Sequence, residues 1–227
     1  MYWKAPGIAG VLAGEINGAS IKRAARSGAD LTEVRVDTFR ERDPDTLAEG
    51  LKRLRSKANL PVILTVRSRK EGGKYAIGDK ERLELFKNLM PFADIADIEL
   101  SSGGIIKNVV DSAKGHGKKV IISYHNFKTT PGDRILQEIV RKARAKGGDI
   151  VKIAAFARGP QDLRRLARIL TDSKDLIVIA MGKAGSASRV LFPAIGSLIT
   201  YGSLTDKTAP GQMSVKELKT EFRRYGL

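Results

Sequence analysis

The chain has 227 residues, 42% hydrophobic and 29% charged, with 23 glycines, 8 prolines and no cysteine. This is the composition of a folded globular chain and excludes a collagen-like or disordered one. The absence of cysteine excludes disulfide frameworks, zinc–cysteine clusters, iron–sulfur centres and thiol nucleophiles, while a net charge of +16 draws anions without saying which.

Short runs rich in Val, Ile and Leu alternate along the chain with segments that can be helical, the pattern of strands joined by helical crossovers. A strand over Gly7 to Ala13 precedes a helix over Ala19 to Ser27, and Glu33 to Asp37 precedes Pro44 to Lys57. Val62 to Arg67 leads to Lys80 to Met90, Ile95 to Leu100 to Ile105 to Lys114, and Lys119 to His125 to Asp133 to Lys146. Ile150 to Ala154 leads to Pro160 to Leu170, Leu176 to Met181 to Ser186 to Phe192, and Gly196 to Tyr201 to a last helix over Val215 to Arg224. Eight units in 227 residues come to about 28 residues each, the size of a βα unit. The expected architecture is a (β/α)8 TIM barrel, with residues 1–227 forming one catalytic domain, since no linker or low-complexity tract interrupts them. An open doubly wound sheet would carry a glycine fingerprint after its first strand, whereas this chain has Gly14-Glu15-Ile16-Asn17-Gly18.

No apolar stretch reaches the roughly 18 to 20 residues of a membrane span, and the N-terminus lacks a signal-peptide layout, so a cytoplasmic protein without a membrane partner is expected. Basic clusters such as Lys52, Arg53 and Arg55, or Arg164, Arg165 and Arg168, are spread along the chain and read as solvated helix faces.

In such a barrel the reactive groups sit where strands run into βα loops. Glu33, Arg35 and Asp37 alternate with Val34 and Val36, so the three charges should share a face, inward in a barrel or toward water at a sheet edge. The third strand ends at Arg67 and enters Ser68-Arg69-Lys70-Glu71-Gly72-Gly73, a glycine loop beside a carboxylate that a surface turn would also explain. Asp97 and Glu99 again share a face and suit ion pairing with inward cations as well as catalysis. His125 closes an apolar strand, where it could move protons or simply be a hydrogen-bonded core histidine. His116, between Gly115 and Gly117, reads as a surface residue.

Lys152 stands among small and apolar residues on the sixth strand. Burying an ammonium costs hydration, which favours the free amine that attacks a ketone; an ion pair with Glu99 or Asp97 is the competing reading. Met181-Gly182-Lys183-Ala184 is not a phosphate loop, because Ala184 stands where Ser or Thr is needed. His116 and His125 have no supporting ligand spacing, so a mechanism without metal is favoured.

Taken in order, Glu33-Val34-Arg35-Val36-Asp37, Thr65 through Gly73, Asp97-Ile98-Glu99-Leu100, Ser123 through Phe127 with Thr130-Pro131, Asp149 through Lys152, Met181-Gly182-Lys183 through Ser188-Arg189, and Ala209 through Ser214 resemble type I 3-dehydroquinate dehydratase. The resemblance implies a Schiff-base lyase of the shikimate pathway, and hence of chorismate and aromatic amino-acid biosynthesis. It would remove water in syn fashion from 3-dehydroquinate, a small anionic substrate, with no cofactor. It makes Lys152 the imine-forming lysine, His125 the general base and acid, and Glu71 the carboxylate that orients His125. Glu33, Arg35, Arg67, Met181, Arg189 and Gln212 would line or hold the substrate, Arg189 gripping its carboxylate. Tyr201 and Thr208 stand where some members carry Phe and Ser, keeping an aromatic wall and a hydroxyl, and the first strand lacks a serine found in some members. The family also implies a homodimer, and the loop between Tyr201 and Gln212 is expected to act as a lid.

Two other classes fit parts of the pattern. A Schiff-base aldolase barrel would also use an inward lysine, and a basic nucleic-acid-binding domain would use the charge. The latter needs clustered basic residues with aromatics beside them, and aromatics are only 6% of this chain, so no nucleic-acid partner is expected.

Overall fold

The computed structural model describes residues 3–204 and 212–227. Its strands are β1 (Gly7–Leu12), β2 (Leu31–Arg35), β3 (Val62–Thr65), β4 (Ile95–Glu99), β5 (Lys119–Asn126), β6 (Ile150–Phe156), β7 (Leu176–Met181) and β8 (Ile199–Ser203). Between and after them lie α1 (Gly18–Arg26), α2 (Pro44–Ala58), α3 (Asp79–Leu89), α4 (Ile106–Gly115), α5 (Asp133–Ala145), α6 (Pro160–Asp172), α7 (Ser188–Ala194) and α8 (Val215–Tyr225). All strand pairs are parallel and follow the chain from β1 to β7, with β8 beside β1. The result is a nearly closed (β/α)8 TIM barrel. Closure between β7 and β8 rests on a backbone bond from Leu198 N to Leu176 O (2.9 Å) and on the Ser197 hydroxyl, which accepts from Val178 N (3.0 Å).

Local chemistry starts and stops the helices. Asp43 caps α2 by accepting from Thr46 N at 2.8 Å, Pro44 supplies a preset first turn, and Asn59 ends the helix in the left-handed region at φ 51°. Ser214 and Glu217 form a capping box that starts α8.

The strands are apolar on both faces because both are covered. Outward residues such as Leu12, Val34, Leu64, Ile98 and Ile122 pack under the helices. Inward residues Leu31, Ile63, Ile95, Ile121, Ile177 and Ile199 form a second cluster, joined by Trp3 near the N-terminus. Full burial of each such aliphatic side chain stabilises by about 1.5–3 kcal/mol, and together they fill the end of the barrel at the strand N-termini with packed apolar side chains. Above it the same inward face becomes polar.

Most boundaries shift by one to three residues from the sequence-based expectation. β3 ends at Thr65, so Arg67 lies in the loop after it and not on the strand. Asp37 does not extend β2: Val36–Thr38 form a short 3-10 turn, so only Glu33 and Arg35 keep the inward alternation. The eighth strand starts at Ile199, not Gly196, because Gly196 turns the chain at φ 115°.

Candidate active site

Strand register sets the depth of each reactive group. Ser123 pairs with Lys152, and His125 pairs with Ala154, so Lys152 lies one inward step deeper than His125 on the neighbouring strand. Both line a single cleft with Glu33, Arg35, Arg67, Glu71, Met181, Arg189, Tyr201 and Gln212. Every predicted site residue except Thr208 is thus brought together; Thr208 and most of the expected lid fall outside the described residues.

Lys152 Nζ donates to Asp97 Oδ2 at 2.9 Å, lies 3.5 Å from Glu33 Oε1, and sits 4.0 Å from the centre of the Tyr201 ring. The ion pair is therefore with Asp97 and Glu33; Glu99 belongs to Arg67 instead. Arg67 Nη2 reaches Asp97 Oδ1 (2.9 Å), while Nη1 reaches Glu99 Oε1 (3.0 Å) and Ser123 Oγ (2.7 Å). Burial pushes the Asp97 carboxyl up, but Arg67 and Lys152 outweigh it and hold it well below the usual carboxylate range. Thr65 Oγ1 donates to Glu33 at 3.0 Å. Arg35 makes a two-pronged pair with Asp37, both contacts at 2.8 Å, and Asp37 also accepts from Arg67 N and Lys74 N. Asp37 thereby ties the loop after β3 to the end of β2.

That loop carries Glu71 on the short turn Arg69–Glu71. Gly73 allows the turn to fold back on itself, since a Cβ there would lie 2.3 Å from Arg67 O. Glu71 Oε2 accepts from both the backbone N and Nδ1 of His125, each at 2.9 Å. With Nδ1 turned to the carboxylate, Nε2 is the ring nitrogen left for chemistry. Burial raises the Glu71 carboxyl to about 7, against the Ser101 hydrogen bond and Arg67, which lower it. Burial, followed by Arg67 and Lys152, lowers His125 well below the usual imidazole value. The ring is thus neutral near pH 7, as a base must be.

Arg189 is 2% exposed, yet among the described residues its Nε and Nη2 have no hydrogen-bond partner. Desolvation alone lowers its guanidinium to about 10. A buried guanidinium with idle donors in a cleft is a receptor for an anionic group that can accept two parallel bonds. Tyr201 supplies an aromatic wall, and Met181 and Gln212 are buried at the same cleft. Among the described residues no group of three His, Asp or Glu side chains is arranged to hold a metal ion. His116 is exposed on a turn, as expected.

Sequence reasoning missed Ser123, Ser101 and Arg82. Ser123 was accessible from alternation, lying two residues before His125 on the inward face. Arg82 is 1% exposed and binds Val66 O (3.0 Å), Ser102 Oγ (3.0 Å) and Glu99 Oε2 from behind the site. Its signal was an arginine on the apolar stripe of α3 with Leu85, Phe86 and Leu89.

Residues 15–225 match the family model for type I 3-dehydroquinase. The chain is 42% identical to the 3-dehydroquinate dehydratase of Aquifex aeolicus, covering 90% of this chain and 91% of that one. It is 39% identical to the 3-dehydroquinate dehydratase of Methanosarcina barkeri, covering 87% and 86%. The crystal structure of the Aquifex aeolicus protein superposes with a TM-score of 0.87 over 96% of this chain and 98% of that one, at 39% identity. The type I 3-dehydroquinate dehydratase of Clostridium difficile with covalently modified comenic acid gives 0.88 over 99% and 94%, at 28% identity.

Proposed function

The chain belongs to the type I 3-dehydroquinase family and dehydrates 3-dehydroquinate to 3-dehydroshikimate, a step of the shikimate pathway; from that premise we propose that Lys152, His125 and Glu71 carry the chemistry. The observation that supports this most is that the buried amine and the imidazole open on one cleft from adjacent strands, with an idle arginine facing the same space.

Arg189 takes the substrate carboxylate in two parallel hydrogen bonds and fixes which hydrogen faces His125. Lys152, held as an ammonium by Asp97 and Glu33, gives one proton to the neutral His125 ring. Its amine then adds to the ketone, and the proton returned by His125 to the carbinolamine oxygen lets it leave as water, giving an iminium. Asp97 and Glu33, which hold the resting ammonium, face the new positive charge without having to move. The iminium makes the adjacent carbon–hydrogen bond acidic. His125 Nε2 takes that proton, and the electron pair of the broken bond forms an enamine. The enamine then expels the neighbouring hydroxyl, which leaves as water on receiving the proton from the imidazolium. Hydrolysis of the remaining imine frees product and Lys152, so base and acid are one group used twice.

Glu71 holds His125 in the tautomer this requires and stabilises the imidazolium while it exists. Arg67 works one layer below, keeping Asp97 ionised beside Lys152. Arg35, anchored on Asp37, and the walls Tyr201, Met181 and Gln212 complete the pocket for an anionic ring. We further propose that residues 1–227 form a single catalytic domain that works as a homodimer in the cytoplasm; the support is the family resemblance, and size-exclusion chromatography with light scattering tests the dimer.

The test of the reaction is ultraviolet absorbance of the conjugated enone. Purified protein given 3-dehydroquinate should raise it steadily without added metal or cofactor, and no rise over the non-enzymatic rate contradicts the reading.

A further inference from the structure

The pair Ser101-Ser102 follows β4 and had no role in the sequence reading. Ser102 turns inward, its Oγ donating to Glu99 Oε2 at 2.7 Å beside Arg82. Ser101 reaches the opposite way. Its hydroxyl donates to Glu71 Oε1, the one carboxylate oxygen that His125 does not use.

We propose that Ser101 is a positioning residue of the dehydration, holding the Glu71 carboxylate in the plane that keeps Oε2 on both nitrogens of His125. This rests on the reading of Glu71 and His125 given above.

The terminal torsion of a glutamate is soft and roughly two-fold. Both bonds from His125 fall on Oε2, so they leave the carboxylate free to pivot about that oxygen. The hydrogen bond to Oε1 comes from a different element, the β4–α4 loop, and removes the pivot. Glu71 is then held from β5 on one oxygen and from that loop on the other, while its own turn follows β3.

The charged surroundings leave little else to do this. Arg67 favours the ionised carboxylate and Glu99 opposes it. On the outer side, a groove between Leu100-Ser101 and α5 carries Glu138, Lys142 and Lys146 along with Glu71 itself. Among the described residues, none of these three groups on or at the end of α5 hydrogen-bonds to Glu71. A hydroxyl in this place donates to the ionised carboxylate and stabilises it, so its removal makes Glu71 harder to ionise. Ser101 is itself exposed, and the neighbouring Ser102 anchors the loop, so replacing Ser101 spares the core.

The experiment is the pH dependence of kcat and kcat/KM for wild type, Ser101→Ala, Ser101→Thr and Glu71→Gln, with borohydride trapping of 3-dehydroquinate alongside. In Ser101→Ala the acid limb should move up by about 0.5 to 1 in pH, which lowers kcat/KM about threefold to tenfold on that limb. Trapping on Lys152 should persist, and Ser101→Thr should restore the limb. An unchanged limb and kcat in Ser101→Ala, with Glu71→Gln crippled, overturns the inference and leaves the proposed function standing. A fully active Glu71→Gln with the wild-type profile overturns both.

Discussion

Glu71→Gln should stabilise the protein at alkaline pH while damaging catalysis. The Glu71 carboxyl is raised from 4.5 to about 7 in the folded chain, burial being the largest cause, and its side chain is only 8% exposed. A raised acid pKa means that the native state keeps a proton the unfolded chain has already lost. Stability from this group is therefore full below about 4.5, falls as pH rises to about 7, and is flat above. At 1.36 kcal/mol per pKa unit, the ionised form costs about 3 kcal/mol above pH 7. Glutamine carries no such charge, and its carbonyl can still accept from His125. The assay is urea unfolding of wild type and Glu71→Gln at pH 5 and pH 8.5, comparing the difference between the two proteins so that other titrating groups cancel to first order. The difference should move in favour of glutamine by about 2–3 kcal/mol between the two pH values. A difference that does not change with pH, or that moves toward wild type, refutes the idea that the site holds this carboxylate at a cost.

Other consequences follow from the same geometry. Arg189→Ala removes the idle guanidinium, so KM should rise about tenfold or more while stability holds or improves, as measured by initial rates and urea melts; an unchanged KM contradicts the carboxylate grip. Gly73→Ala would set a Cβ 2.3 Å from Arg67 O, so the turn must shift and Glu71 with it. Its kcat should fall about tenfold or more while the barrel still folds, and far-ultraviolet circular dichroism with initial rates checks both.

Much of the barrel was legible because both faces of each strand are buried and each helix shows an apolar stripe. Alternation put Glu33 with Arg35, and Asp97 with Glu99, on shared faces but left inward and solvent-facing readings open; the closed barrel turns those faces inward, where the acids meet Arg67 and Lys152. Periodicity failed at Asp37, where a 3-10 turn takes the chain out of β2 so that Asp37 can brace Arg35 and the Glu71 loop. It also failed at the start of β8, where Gly196 turns the backbone. The aldolase alternative turned on which groups surround the lysine, and a lone lysine in a strand pattern cannot reveal that. Ser101 carried no signal at all, because a serine in a loop points at whatever the tertiary fold brings near it.

The central claim is that the Lys152 amine becomes the covalent anchor and His125 then moves the proton. Borohydride added to enzyme turning over 3-dehydroquinate, followed by peptide mass spectrometry, tests it directly. The expected results are an adduct on Lys152 in wild type, the same adduct formed slowly without turnover in His125→Ala, and neither adduct nor turnover in Lys152→Ala. Full turnover by Lys152→Ala, or reduction that leaves Lys152 unmodified in an active enzyme, would contradict it.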